Sequence, residues 1–345
     1  MRSDSNARRA RCLDVLLGAA CLLTAADVLA ATAAAGATAG AGAGDGFEVP
    51  TWLFPIPPPA SAPAPDGSRV LHVPASDRGY TLAQLKDFYA VADWHDEFQP
   101  PVPDIVAHGR KPDVYACSYC HLPDGAGRPE NATVAGLSAD YIVQQMRDFA
   151  SGARRTAWTG ADFLPATLMA KFAHLTTAQE IGEAAAYFSS VTMTGPRARV
   201  IETERVPKAR PVAYVYAAAE GGGDELLGTR LVEMPRDFER HELRDSRAEY
   251  VAYVPVGSIE RGRRLALQGN GAAPPCAGCH DPDLRGSELA PPIAGRSPTY
   301  LLRQLAAFRT GARHGTSGAP MQPVVDALTL EEMIAAAAYA GSLPP

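Results

Sequence analysis

The sequence predicts a mainly α protein made of two small, similar domains joined by a β-rich connector, with a proline-rich N-terminal extension. Three observations support this prediction. A five-residue motif occurs twice, 159 positions apart, at residues 117–121 and 276–280. Apolar residues at helical spacing follow each copy, whereas β-prone runs lie between the copies. The 345 residues, 46% of them apolar, are enough for two domains with separate cores.

Residues 1–30 are predicted to be an export signal. Arginines precede an apolar run that ends in small residues near Ala30, which is typical of a cleaved signal peptide. A transmembrane anchor is the alternative, but the run is short for a span and is interrupted by two aspartates. Cleavage would remove Cys12 and Cys21. All four remaining cysteines lie in the two motifs, so none is left for a disulfide.

Residues 31–100 form the predicted extension. Alanine, glycine and threonine dominate residues 31–46, which indicates a flexible tether. Prolines between Pro50 and Pro65 favour an extended path that lies on the surface or reaches across a domain. Apolar spacing after Thr81 predicts a short helix from Thr81 to Tyr89.

The two predicted domains, residues 101–191 and 255–345, are an internal repeat. At an offset of 159 the matching residues are Tyr141 and Tyr300, Gln145 and Gln304, Phe149 and Phe308, and Arg154 and Arg313. Ser138 and Ser297 stand where helix N-caps belong, and Gly152 and Gly311 where these helices end. After a seven-residue difference in loop length, a last helix is predicted behind the capping boxes Thr177–Glu180 and Thr329–Glu332.

The segment between the domains, residues 192–254, is not repeated. Four runs are rich in β-branched and aromatic residues, and proline, glycine and charged residues separate them. These runs are Val200–Ile201, Val212–Tyr216, Leu231–Met234 and Tyr250–Val254. They predict the β-rich connector.

Each motif has the form C-x-x-C-H, which is typical of covalent haem attachment. Two thiols three residues apart can add to the two vinyl groups of one haem, and the adjacent histidine reaches the iron. The sequence therefore predicts two haem c groups, held by Cys117 and Cys120 and by Cys276 and Cys279. A redox dithiol or half a zinc site would share the cysteine spacing, but the adjacent histidine, present twice, favours haem.

The predicted axial ligands of the two irons are His121 with Met169 and His280 with Met321. Met321 lies between Pro320 and Pro323, and such a loop can hold a thioether over a haem face. Met169 matches Met321 in register, but its loop is expected to be seven residues longer and has no flanking prolines. His174 and Met193 are the rival ligands of the first haem, and a core methionine is the structural alternative at both sites.

With these residues in view, the chain resembles tandem dihaem class I cytochromes c, of the cytochrome c4 and c-553 group. The resemblance covers residues 101–191 and 255–345 and includes the segments Pro291–Gly295 and Ser297–Leu305. It implies small helical domains, His/Met iron and periplasmic electron transfer. It also implies that the carbonyl of Pro291 holds the proximal imidazole of the second domain. The first domain has Ala132 at the matching position.

The predicted function is a periplasmic electron carrier between a dehydrogenase or a quinol-oxidising complex and a terminal acceptor. One alternative is a peroxidase-like dihaem enzyme with an open iron. Another is the cytochrome subunit of a dehydrogenase complex, for which a membrane-associated complex is one option. The expected partners are redox proteins. The net charge of −6 argues against nucleic-acid binding, and the sequence contains no basic stripe that would favour it.

Overall fold

The computed structural model describes residues 46–58, 67–97, 99–160 and 162–345, which belong to one contact unit. The predicted export signal and nearly all of the predicted tether lie outside these residues. Within the described ranges, no helix has the length and apolar character that a membrane crossing needs.

The described residues contain twelve α-helices. They are α1 Leu82–Leu85, α2 Asp104–Ala107, α3 Cys117–His121, α4 Ala139–Ser151, α5 Leu164–Leu175, α6 Ala178–Ser190, α7 Phe238–Glu242, α8 Ser258–Gln268, α9 Ala277–His280, α10 Pro298–Arg309, α11 Gln322–Asp326 and α12 Leu330–Ser342. We call residues 101–191 unit 1 and residues 255–345 unit 2. Helices α3, α4 and α6 of unit 1 recur as α9, α10 and α12 of unit 2.

The predicted helix caps are confirmed in both units. Ser138 and Ser297 are the N-cap residues of α4 and α10. Their side chains accept hydrogen bonds from the backbone N–H groups of Tyr141 and Tyr300, respectively. Both capping boxes are formed, at Thr177 before α6 and at Thr329 before α12. Each cap satisfies an N–H group that the first helical turn would otherwise leave unpaired.

The segment between the two long helices of each unit, α4 and α6 in unit 1 and α10 and α12 in unit 2, differs between the units. In unit 2 it is broken into a 3₁₀ helix, Thr316–Met321, and α11. In unit 1 it is continuous as α5. The expectation that Met169 lies in a loop is therefore wrong. Leu168 and Lys171 stand where unit 2 has Pro320 and Pro323, so nothing interrupts the helix in unit 1.

Nine strands occur in the described chain, seven of them between residues 198 and 254. They are β1 Val70–Leu71, β2 Tyr80–Thr81, β3 Ala198–Glu202, β4 Arg205–Pro207, β5 Ala209–Val212, β6 Val215–Ala218, β7 Asp224–Leu226, β8 Val232–Pro235 and β9 Tyr250–Val254. Strands β3, β9 and β8 form a sheet in that order. Strand β3 follows unit 1 and pairs in parallel with β9, which leads into unit 2. The sheet therefore brings the end of one unit beside the start of the other.

The proline-rich segment reaches into the core of unit 2. Leu53 and Phe54 are buried in the largest apolar cluster, together with residues of α10 and α12. The guanidinium of Arg303 donates from Nε to the Leu53 carbonyl oxygen at 2.8 Å. Phe163, from the longer loop of unit 1, packs edge-on against Phe54 with ring centroids 5.1 Å apart. This segment thus contacts both units.

Helix α1 is shorter than the sequence predicted. Its capping box, Thr81 with Gln84, is present, but the helix ends at Leu85 rather than Tyr89. Phe88 leaves the helical path and stacks on Tyr115, with ring centroids 4.1 Å apart. A contact between distant parts of the chain has replaced one more helical turn.

Candidate functional site

Each cysteine–histidine motif forms one helical turn. In α3 and α9 the two cysteines are three residues apart and the histidine is four residues from the first, so all three side chains share one face. The next residues, Leu122 and Asp281, have φ angles of 65° and 74°, which turns the chain away from the helix. The motif therefore presents two sulfurs and one imidazole toward the same side, as haem attachment requires.

Both histidines are oriented by a backbone carbonyl. Nδ1 of His121 donates to the carbonyl oxygen of Ala132 at 2.8 Å, and Nδ1 of His280 donates to that of Pro291 at 2.8 Å. In each ring Nε2 then carries the free lone pair that an iron ion needs. Because the acceptor is a backbone oxygen, alanine at position 132 serves as well as the proline in unit 2.

Burial lowers the pKa of both imidazoles below the ordinary histidine value. The carbonyl hydrogen bond acts in the opposite direction but is the smaller effect at His121 and at His280. Both rings are therefore neutral near pH 7, which is the protonation state of a metal ligand.

The thiols of the motifs do not resemble a redox pair. Burial, reinforced by the neighbouring Cys120, raises the pKa of Cys117 to about 12. A reactive dithiol has a lowered pKa instead. No cluster of metal-binding side chains occurs among the described residues, and none of their four cysteines is in a disulfide. The cysteines fit thioether attachment better than either alternative.

Met169 lies in the interior of α5 and is half-buried. It shares a helix face with Phe172, three residues later, whose ring lies 5.1 Å from that of Tyr115, just before the first motif. The rival His174 is exposed and points about 140° away around the helix. The other rival, Met193, packs in the small core of unit 1. The helix face of Met169 therefore reaches the segment before the motif through Phe172, whereas Met193 packs against the cluster that also includes Cys117.

Met321 ends the 3₁₀ helix of unit 2 and caps α11. It is half-buried and packs against the large core cluster. Pro320 and Pro323 limit the backbone on both sides, so the thioether is carried by a stiffer segment than its counterpart in unit 1.

The two units meet through a contact with twofold character. The N–H of Arg155 donates to the Ala312 carbonyl at 2.8 Å, and the N–H of His314 donates to the Ala153 carbonyl at 2.8 Å. At the offset of 159, Arg155 matches His314 and Ala153 matches Ala312, so the two hydrogen bonds are equivalent. The segments that follow α4 and α10 are therefore held together as equivalent partners.

A side-chain network extends this contact. Each of two arginines donates both to the glutamine of its own unit and to the tyrosine and glutamine of the other, at 2.7 to 3.1 Å. The six residues are Tyr141, Gln145, Arg154, Tyr300, Gln304 and Arg313. The sequence repeat contained all six matches, but it gave no sign that they contact one another.

The network supplies buried positive charge. Arg154 and Arg313 are buried, and among the described residues their side chains hydrogen-bond to neutral oxygens and form no ion pair. A buried guanidinium is stable when an anion lies nearby. The two propionates of a haem are suitable anions, so this part of the molecule fits the predicted cofactor.

Sequence reasoning missed the residues that cover the first motif. Arg244 donates to the Tyr119 carbonyl at 2.6 Å, and its guanidinium lies 3.6 Å from the centre of the Tyr119 ring. Phe88 also packs against this ring, at 4.5 Å between centroids. No local sequence signal predicts these contacts, because they join segments far apart in the chain.

The comparisons with known proteins agree with this geometry. The model of the family described as "Cytochrome c" matches residues 259–344. The thiosulfate dehydrogenase electron acceptor of Thiomonas intermedia is 26% identical over 68% of this chain and 81% of its own length. Cytochrome c4 of Azotobacter vinelandii is 25% identical over 57% of this chain and 69% of its own. Cytochrome c-554(548) of Halomonas halodenitrificans is 37% identical over 19% of this chain and 82% of its own.

Proposed function

Since the chain belongs to the cytochrome c family, as a tandem dihaem class I member, we propose that it is a periplasmic carrier of single electrons. Its cofactors are two haem c groups, which supply reversible one-electron chemistry at iron. The proposed donor is a dehydrogenase and the proposed recipient a terminal acceptor. The predicted export signal and the covalent attachment support the periplasmic location.

The observation that carries the proposal is the matched orientation of the two proximal histidines. The bond from Nδ1 to a backbone carbonyl, at 2.8 Å in both units, fixes the ring and directs Nε2 toward one side of the motif. With Met169 and Met321 as second ligands, each iron would be six-coordinate in both oxidation states. An iron without an open position transfers electrons and does not bind substrate.

The contact between the units supports electron exchange within the molecule. Two reciprocal backbone hydrogen bonds and the arginine network fix the segments after α4 and α10. A fixed distance between the two haem sites favours a constant rate of electron transfer between them, whereas a flexible linker would let this rate vary. Buried positive charge at this contact also stabilises negative charge on the cofactors.

The name of the Thiomonas relative suggests the kind of donor. It is an electron acceptor of thiosulfate dehydrogenase. By analogy, we propose that this chain accepts electrons from a dehydrogenase of a reduced sulfur compound, either as a separate protein or as the cytochrome subunit of a complex.

A second candidate function, a haem enzyme, depends on Met169. Helix α5 holds this residue without the prolines that flank Met321. If its thioether left the iron, unit 1 would have an open position for a small ligand such as peroxide.

Replacement of each methionine by alanine in the full chain tests the proposal. We expect Met169→Ala and Met321→Ala each to lower one reduction potential and to remove about half of the weak sulfur-to-iron absorption near the red end of the visible spectrum. Met193→Ala tests the rival ligand of the first haem and should leave spectrum and potentials unchanged. If Met169→Ala also changes neither, and the wild type binds cyanide at one iron, the enzyme is the better interpretation.

A further inference from the structure

The loops that follow the two motifs differ strongly in exposure. We call residues 122–132 loop 1 and residues 281–291 loop 2; they match at the offset of 159. Glu130 of loop 1 is 7% exposed, whereas the matching Leu289 of loop 2 is 78% exposed. Cys120 is half-buried, whereas Cys279 is exposed. The polarity is thus inverted: unit 1 buries a carboxylate where unit 2 presents a large apolar side chain to solvent.

Loop 1 is covered by other parts of the chain. Arg197 donates to the Gly127 carbonyl at 3.1 Å, and Arg303 of unit 2 donates to the Pro129 carbonyl at 2.9 Å. Arg244 and the ring of Phe88 cover the adjoining motif at Tyr119. Since thioether bonds form at the rim of the haem macrocycle, a haem attached to Cys117 and Cys120 would have this edge covered by the protein.

Loop 2 is held by bonds within unit 2. The Ser287 hydroxyl donates to the Cys279 carbonyl at 2.6 Å, and it accepts from the Leu289 N–H at 3.0 Å. The Ser287 N–H donates to the Ala290 carbonyl at 2.9 Å. Leu289 is therefore presented in a defined position beside an exposed thioether cysteine. Among the exposed large apolar side chains of the described residues, Leu289 is the most exposed, at 78%.

Loop 2 also carries exposed charged residues. Asp281, Asp283 and Glu288 are exposed, and Arg285 is the exposed base of the loop. Three carboxylates and one guanidinium leave a net charge of −2. An exposed apolar side chain in a loop of net negative charge is complementary to a basic protein surface that carries an apolar contact of its own.

We propose that loop 2 is the docking surface through which a redox protein with a basic contact face exchanges electrons with this chain. This inference rests on the proposed electron-carrier function. In the exchange one electron leaves the partner's redox centre, which is oxidised by one unit, and the ferric iron at His280 is reduced to ferrous. No atom or proton is transferred. The haem of unit 1 then exchanges electrons with the haem of unit 2 across the contact between the units.

The test uses zinc-substituted mitochondrial cytochrome c, a basic protein whose photoexcited state gives one electron to a ferric haem. The second-order rate constant with the full-length ferric holoprotein is measured at low ionic strength. We expect Glu288→Lys to lower it about fivefold, because a charge of the wrong sign then faces the probe. Leu289→Ala should lower it about threefold. Added salt should slow the wild type more than Glu288→Lys.

Two control variants match these changes. Asp113→Lys makes the same change in net charge at an exposed position four residues before the first motif. Leu226→Ala removes an exposed leucine from β7, between the units. Both should leave the rate constant unchanged within about twofold. If Asp113→Lys slows the reaction as much as Glu288→Lys, global charge or unit 1 governs docking and the proposal is wrong.

The failure of this inference can be distinguished from that of the proposed function. A redox titration with small mediators first shows whether each haem takes up and releases one electron reversibly. If it does not, the carrier function fails. If it does, but the loop 2 variants react like the wild type, only the docking surface is rejected. A dimer in sedimentation that Leu289→Ala dissociates would likewise reject it, because a second copy would then be the occupant.

Discussion

Unit 1 and unit 2 share their haem-binding geometry but differ in their surroundings. The histidine-to-carbonyl bond is 2.8 Å in both, and the caps of the long helices match. The surroundings of the cysteine–histidine motif differ between the two units. In unit 1, Arg197 and Arg303 contact loop 1, and Arg244 and Phe88 cover the adjoining motif, whereas loop 2 faces solvent.

This difference shows which parts of a duplicated domain are constrained by the cofactor. An iron ligand must keep its orientation to function, so the hydrogen bond behind the imidazole is retained even where alanine replaces proline. The outer surface of the motif has no such constraint. It can be covered in one copy and left open in the other, which gives two similar sites different access to partners.

The largest expected effect comes from exchanging the side chains at the matching positions of the two loops. Glu130→Leu should lower the free energy of unfolding by about 3 kcal/mol, because it leaves the buried guanidinium of Arg128 without its carboxylate. The two side chains are nearly inaccessible to solvent and lie 3.0 Å apart, from Nε to Oε1. Guanidinium denaturation, followed by circular dichroism, measures the change.

The reciprocal variant is the control. Leu289→Glu introduces the carboxylate of loop 1 at the exposed position of loop 2, and stability should change by less than about 0.5 kcal/mol. Equal losses in the two variants would mean that loop 2 is as buried as loop 1. The contrast between the two loops would then be incorrect.

A smaller loss of stability is expected at the contact between α8 and α12 of unit 2, which has no counterpart in unit 1. Gly262 of α8 lies against α12, and a Cβ at this position would be 2.0 Å from the Ala335 carbonyl oxygen. Gly262→Ala should cost about 2 kcal/mol, because a backbone atom cannot move aside as a side chain can. In unit 1 the corresponding first helix, α2, is a single turn.

Gly182→Ala provides the comparison in unit 1. Gly182 lies within α6, and nothing is within 4 Å of an added Cβ. The alanine should raise stability by up to about 1 kcal/mol through its helix propensity. Denaturation curves of the two variants, recorded at the haem absorption, should shift in opposite directions. A neutral Gly262→Ala would indicate that α8 and α12 are not in close contact.

Features that depend on a few neighbouring residues could be predicted from the sequence. The capping serines and the Thr–Glu boxes act over three residues, and all of them are formed. Strands also occupy the four β-prone runs, although the run from Val212 to Tyr216 is divided by a turn at Ala213 and Tyr214. Local propensity and capping determine such elements directly.

Features that depend on distant contacts could not be predicted. Arg244 reaches Tyr119 across 125 residues, and Arg303 reaches Leu53 across 250. The same applies to the end of α1, where stacking of Phe88 on Tyr115 outweighs one more helical turn. The helix around Met169 is a different case, because the absence of flanking prolines is visible in the sequence and is what leaves this helix unbroken.

The smallest expected effect is a pH dependence of stability that comes from a buried histidine beside loop 1. His241 of α7 is fully buried, and its Nδ1 lies 3.1 Å from the hydroxyl of Tyr250. Burial, together with the positive charges of Arg128 and Arg244, holds the pKa of His241 well below its ordinary value of 6.5. These effects outweigh the carboxylate of Glu130, whose Oε1 lies 3.8 Å from Nε2.

The sign of the pH dependence follows from this lowered pKa. Glu242, the other nearby carboxylate at 3.9 Å, does not reverse it. Below about pH 6.5 the unfolded chain binds a proton at His241 that the folded chain does not, so stability falls as the pH falls, by up to about 1.4 kcal/mol per pH unit. His241→Gln should remove this part of the slope between about pH 7.5 and 5.5. His314→Gln, which removes an exposed ring, should retain it. If both variants keep the wild-type slope, His241 binds a proton in the folded chain as readily as in the unfolded chain, and the cover over loop 1 is open to water.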